Sequence, residues 1–177
     1  MLKTNETTNI HLNFKGYFMN LNDLGVKQYQ WVEAMNWHNK TVLESLALIS
    51  SEVGESAYEY LEENPTEYFG EELADIMLRA LDLGCCEKVD MDKEVENASI
   101  VWKHKNIPKM FMQLSYEFGN LVNTARKPVL EESFNKTLGI FLKSVMEIAD
   151  FAHIDLEKEI LLKMGKNLQR GTRGRII

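Results

Sequence analysis

Two acidic pairs carry the chemistry this sequence can support: Glu52 with Glu55, and Glu72 with Asp75. Each pair is spaced i, i+3, which on a helix stacks both side chains on one face. A short connection at Asn64-Pro65 lets the two helices fold back antiparallel, so that four carboxylates converge on one small volume. Carboxylates packed together repel, and burial raises their pKa values. A hard divalent cation with oxygen ligands relieves both costs. Mg²⁺ is the expected ion, with Mn²⁺ as a substitute.

The elements that must position these acids read as helices. Thr41-x-x-Glu44 matches a capping box and opens the first acidic helix. Its apolar stripe is Leu46, Ile49, Val53, Ala57 and Tyr60, with Glu52 and Glu55 bordering it. Gly54 costs that helix about 1 kcal/mol against alanine, which predicts close approach of a neighbouring helix or a ligand. The second acidic helix is predicted over 66–85, with Leu73, Ile76, Met77, Ala80 and Leu81 facing inward. Ahead of both, a helix is expected over 24–39, and residues 1–23 read as irregular. Asp90 suits the cap of a helix of about 14 residues ending near Asn106. Pro108 suits the first turn of the next, up to Lys127, and Pro128 breaks the chain. Further helices are expected over 131–150 and 155–169. No segment alternates with period two, so the expected fold is an all-α bundle of about six to eight helices without a sheet.

Composition narrows the function. The chain has 177 residues, 45% of them hydrophobic, which suffices for a real core. The net charge of −7 argues against a broad nucleic-acid surface and against an anionic membrane. A phosphorylated small molecule stays compatible, because a metal and local cations override net charge. Cys85 and Cys86 are adjacent and read as two free thiols in a reducing compartment. No apolar run is long enough to span a membrane and no signal peptide is evident, so a soluble, cytoplasmic protein is expected.

The two halves resemble each other. Ser50-Ser51-Glu52-Val53-Gly54-Glu55 aligns with Ser115-Tyr116-Glu117-Phe118-Gly119-Asn120 at an offset of 65, and 89–95 aligns with 154–160 at the same offset. The acids fare differently in the copy: Glu55 meets Asn120, Glu72 meets Thr137 and Asp75 meets Ile140. One remaining carboxylate, Glu117, cannot hold a divalent cluster. The second half instead carries Lys163-x-x-x-Asn167-x-x-Arg170, followed by Arg173 and Arg175, cations that suit a helix C-terminus. The units are drawn as 1–23, an N-terminal segment; 24–107, with the complete acidic set; and 108–177, the degenerate copy.

Together EVGE at 52–55, EELADIMLRALDL at 71–83 and IDLEKEI with K-x-x-x-N-x-x-R at 154–170 resemble the MazG-like all-α nucleoside triphosphate pyrophosphohydrolases. That superfamily includes dimeric dUTPases and phage enzymes that hydrolyse dCTP and dUTP. Its hallmark, E-x-x-E then E-x-x-D, is complete here with 16 residues between Glu55 and Glu72. The resemblance implies a helical bundle in which Glu52, Glu55, Glu72 and Asp75 bind Mg²⁺ and serve catalysis. It also implies cleavage of an NTP or dNTP to the monophosphate and pyrophosphate. The duplication implies a tandem pseudo-dimer, with Lys163, Asn167 and Arg170 contacting phosphates and a homo-oligomer of the duplicated chain compatible.

Blander readings stand beside these. Either acidic pair alone is an ordinary solvated face, and Arg79, four residues after Asp75, suits a surface ion pair with it. Asp82, Glu59 and Glu62 are assigned to solvent, and Glu71 competes with Glu72 but lacks the i, i+3 relation to Asp75. Trp31, Trp37 and Trp102 read as core ahead of base-stacking groups. Trp37 and His38 are carried as substrate-contact candidates, with a surface histidine the plainer reading. Asp150-x-x-His153 lacks the paired Glu-x-x-His of a di-iron bundle. The rival function is a non-catalytic nucleotide-binding or interaction protein of the same fold.

Overall fold

The structure is a computed structural model that describes residues 19–61, 65–127 and 131–170. Seven helices and no strand occur among the described residues: α1 (Leu21–Ala34), α2 (Val42–Tyr58), α3 (Phe69–Cys86), α4 (Met91–Asn97), α5 (Ile107–Arg126), α6 (Glu131–Phe151) and α7 (Leu156–Arg170). The all-α expectation holds. No described helix is long and apolar enough to cross a membrane.

Local chemistry fixes the helix starts. Thr41 and Glu44 form the expected capping box on α2. Asn20, Asp90, Asn106 and Asp155 each accept a backbone N–H three residues on. Pro108 sits in the first turn of α5, where its missing N–H costs nothing. Three chain reversals use non-glycine residues in the left-handed region: Asn36, Lys88 and His153, at φ 54°, 57° and 59°.

The 65-residue offset recurs in the backbone. Caps Thr41 and Asn106 correspond, as do Asp90 and Asp155, and Lys88 reverses the chain where His153 does. The Val89 N–H bonds the Gly84 carbonyl at 2.9 Å, and the Ile154 N–H bonds the Ala149 carbonyl at 2.9 Å. The helices pack reciprocally. α2 lies on α3 and α5 on α6, while α4 crosses onto α6 and α7 crosses onto α3. α3 and α6 meet at the centre. Their buried faces match position by position, Leu73 with Leu138, Ile76 with Phe141 and Met77 with Leu142. Each such side chain contributes about 2 kcal/mol. Gly139 admits the crossing of α4: a Cβ there would lie 2.7 Å from the Glu94 carbonyl oxygen. Both halves share one core, so the 107/108 division marks the repeat within one packed body.

Several expectations are corrected. α1 begins at Leu21, not 24, because Asn20 caps it and the Asp92 carboxylate takes the Leu21 and Asn22 N–H groups at 2.8 and 3.1 Å. It ends at Ala34, short of 39, just before Asn36 turns left-handed. α3 starts at Phe69 rather than 66. α4 spans seven residues, not about 14. Lys143 Nζ takes the Val95 and Ala98 carbonyls at 3.3 and 2.6 Å, and Ala98 turns extended. Gly54 faces open space, with nothing within 4 Å of a Cβ built there, so no helix approaches it. Residues 1–18, Glu62, Asn64, Pro128, Arg173 and Arg175 lie outside the described residues.

Candidate metal centre

A cavity of about 380 Å³ opens where α1, α2, α3 and α7 meet. α2 supplies Glu52 and Glu55, α3 supplies Glu71, Glu72, Asp75, Arg79 and Asp82, and α7 supplies Lys163 and Asn167. Gln28, Trp31 and Trp37 close the opposite wall. The carboxylates therefore come from the first half and the lysine and asparagine from the second, because α7 crosses onto α3.

Carboxylate oxygens of Glu52, Glu55 and Glu72 lie within 4.8 Å of one another. Asp75 stands one turn on from Glu72 and pairs with Lys163 Nζ. Lys163 is 6% exposed; it also binds Glu71 at 2.9 Å, and Lys166 pairs with the other Glu71 oxygen. Glu52 pairs with Arg79 at 3.1 Å. The blander alternative, an i, i+4 surface pair of Arg79 with Asp75, is replaced by other pairings. Lys163 already holds Asp75, and Arg79 reaches across to α2.

The electrostatics are those of a crowded acidic site. Burial, then the Asp75, Glu55 and Glu52 charges, push Glu72 up to about 7 against the pull of Lys163. Its Oε2 is buried without a hydrogen-bond partner. Burial and Asp75 likewise raise Glu52, opposed by Arg79. Burial raises Asp75 against the hydrogen bond from Lys163. Burial would discharge Lys163, but hydrogen bonds to Asp75 and Glu71 outweigh it and hold the ammonium charged. Lys163 and Lys166 drop Glu71 to about 2. Clustered hard oxygen donors, one of them orphaned, fit a divalent cation such as Mg²⁺.

Asn167 and Trp37 line the cavity. Arg170 closes α7, and its side chain lies outside the described residues. His38 stacks on Tyr29 with centroids 4.6 Å apart and meets Asp82 and Cys86. Asp82, assigned to solvent, is corrected: it is 7% exposed. Glu59 is only half-buried and accepts an exposed hydrogen bond from the Thr66 hydroxyl. Trp31 and Trp37 pack edge-on at 5.0 Å and are half-buried in the cavity wall rather than in the core. Trp102 packs against the core and donates its indole N–H to Glu147. Sequence reasoning missed Gln28 and the anchoring role of Glu71. The signal for Glu71 was the Lys163-x-x-Lys166 spacing, which presents two cations on one face of α7.

No family profile, curated protein or solved structure matches the chain. The functional reading therefore rests on the residues and their arrangement.

Proposed function

We propose that this protein is a Mg²⁺-dependent nucleoside triphosphate pyrophosphohydrolase, organised as a tandem MazG-like pseudo-dimer with one hybrid site per chain. The observation that carries the reading is the shared cavity. Three glutamates with oxygens within 4.8 Å of one another face a lysine and an asparagine from the opposite half. An acidic cluster alone would suit a bare cation. The added cations and indoles suit a polyphosphate joined to an aromatic base.

In this reading Glu52, Glu55, Glu72 and Asp75 hold the metal. Bound there, Mg²⁺ neutralises phosphate charge and acidifies water. The chain's own groups do the rest. Lys163 Nζ, released from Asp75 and Glu71 as substrate enters, donates to phosphate oxygens together with the Asn167 amide. Such charge-assisted contacts contribute about 1.5–3 kcal/mol each. A carboxylate oxygen of the cluster orients the attacking water and accepts its proton. Trp31, whose indole N–H is buried without a partner, and Trp37 flank the base. The unpartnered N–H offers one hydrogen bond for specificity.

The test is incubation of the purified chain with the common NTPs and dNTPs plus Mg²⁺, with products separated by chromatography. The expected outcome is monophosphate and pyrophosphate in one step. Orthophosphate release through a diphosphate would contradict the reaction, and binding without turnover across the panel would favour the non-catalytic alternative.

A further inference from the structure

Next to the acidic cluster stands a second group with different chemistry. One ligand atom each of His38, Asp82 and Cys86 lies within 4.8 Å of the others. Asp82 and Cys86 are four residues apart on α3 and so share a face. His38 reaches them from the connection between α1 and α2, which Asn36 bends by taking φ 54°. Tyr29 packs on the imidazole at 4.6 Å and fixes its place.

The independent observation is Asp82 itself. It is 7% exposed, yet its Oδ1 is buried without a hydrogen-bond partner, and so is Nε2 of His38. A buried carboxylate oxygen left unsatisfied costs several kcal/mol unless something binds it. The repeat supplies a control. Glu147 occupies the corresponding place in α6, 65 residues on, and there the Trp102 indole N–H satisfies it. The counterparts of His38 and Cys86 are Lys103 and Phe151, so the fold does not require the histidine–aspartate–cysteine set.

We propose that His38, Asp82 and Cys86 form a transition-metal site of the zinc class, which clips the α1–α2 connection onto the C-terminal turn of α3. Imidazole, carboxylate and thiolate are the donor set zinc takes, whereas Mg²⁺ avoids sulfur and nitrogen. Tetrahedral zinc with bonds of about 2.0–2.3 Å needs its ligand atoms closer together than they now stand. Cys86 is exposed, so its side chain is free to turn inward. The exposed side leaves the fourth position to water. Zinc binds the thiolate, so metal uptake at neutral pH displaces the Cys86 thiol proton. Trp37 precedes His38 in the chain, so the clip would also steady that wall of the cavity.

The site is independent of the proposed reaction. The experiment uses the full chain, stripped with chelator and then saturated with Mg²⁺ to fill the acidic cluster. Zn²⁺ is titrated by calorimetry and Co²⁺ by absorption. One ion per chain, a thiolate-to-cobalt charge-transfer band and proton release are expected. Cys86→Ser should abolish the band and weaken Zn²⁺ at least about tenfold. His38→Gln should weaken Zn²⁺ similarly, and circular dichroism of both variants checks the fold. Glu55→Gln, in the other cluster, should leave the band intact whether or not hydrolysis survives. No thiolate band in the native chain, or Zn²⁺ affinity unchanged in Cys86→Ser, would overturn the proposal.

Discussion

The pair α2–α3 and the pair α5–α6 share a backbone plan and differ in what they hold. In α2–α3, Glu52, Glu55, Glu72 and Asp75 face a cavity closed by α7. At the matching places in α5–α6 stand Glu117, Asn120, Thr137 and Ile140. There Asn120 donates to Glu117 at 3.5 Å, and the Thr124 and Thr137 hydroxyls bond each other at 3.0 Å. Carboxylates crowd one another in the first half, whereas the polar groups at the matching places in the second half satisfy one another. The crossing helices diverge in parallel. α7 runs 15 residues and delivers Lys163 and Asn167, whereas α4 stops after seven, and Trp102 beyond it meets Glu147. One backbone plan thus carries a crowded acidic cavity in one half and mutually satisfied polar groups in the other.

The largest effect is expected at the acids. Glu72→Gln or Glu55→Gln should lower turnover at least about 100-fold with the helical circular dichroism unchanged, since ligands matter at least as much as the residues behind them. Wild-type turnover by either variant at saturating Mg²⁺ would remove the cluster from the mechanism.

Next in size is the cation that the second half lends. Lys163→Ala leaves the half-buried Asp75 without its partner, while Glu71 keeps Lys166, and should destabilise the metal-free chain by about 3 kcal/mol in urea. A loss under about 0.5 kcal/mol, the ordinary surface value, would mean that the pair is solvated.

A smaller effect follows from protonation. Glu72 titrates near 7 in the fold against 4.5 for the free group, so the native state holds the extra proton between those values. Stability of the metal-free chain should therefore fall as pH rises from about 4.5 to 7 and level off above. Glu71, lowered to about 2, acts oppositely: its contribution is full above 4.5 and is lost as pH falls toward 2. Melting curves with and without Mg²⁺ test this. Mg²⁺ should raise the midpoint more at pH 8 than at pH 5, and Glu72→Gln should flatten the metal-free decline. A flat profile in the native chain would show that the carboxylates are not crowded. Least affected should be Glu117→Gln, with stability within about 0.5 kcal/mol of the native chain and turnover intact. A large loss of turnover there would give the second half an active site of its own.

Much of this arrangement was legible in the sequence. Caps at Thr41 and Asp90, Pro108 in a first turn, the apolar stripes and the acid spacing are local signals, and they located most helices and the acidic faces; the cap at Asn106, read as a helix end, emerged only in the structure. The 65-residue repeat marks α7 as the counterpart of α4. Illegible were features set by tertiary partners. Lys143 capturing the end of α4, Asp92 capping α1 from 70 residues away and Lys163 outcompeting Arg79 for Asp75 leave no periodic trace. Asp82 was misassigned for the same reason: its burial depends on His38 and the α1–α2 connection, which no spacing within α3 reveals.

One hybrid site per chain fixes the binding stoichiometry. Calorimetric titration of the native chain with a non-hydrolysable nucleoside triphosphate analogue, at saturating Mg²⁺, should give one molecule bound per chain, with affinity lost in Lys163→Ala. Two equivalent molecules per chain would contradict it.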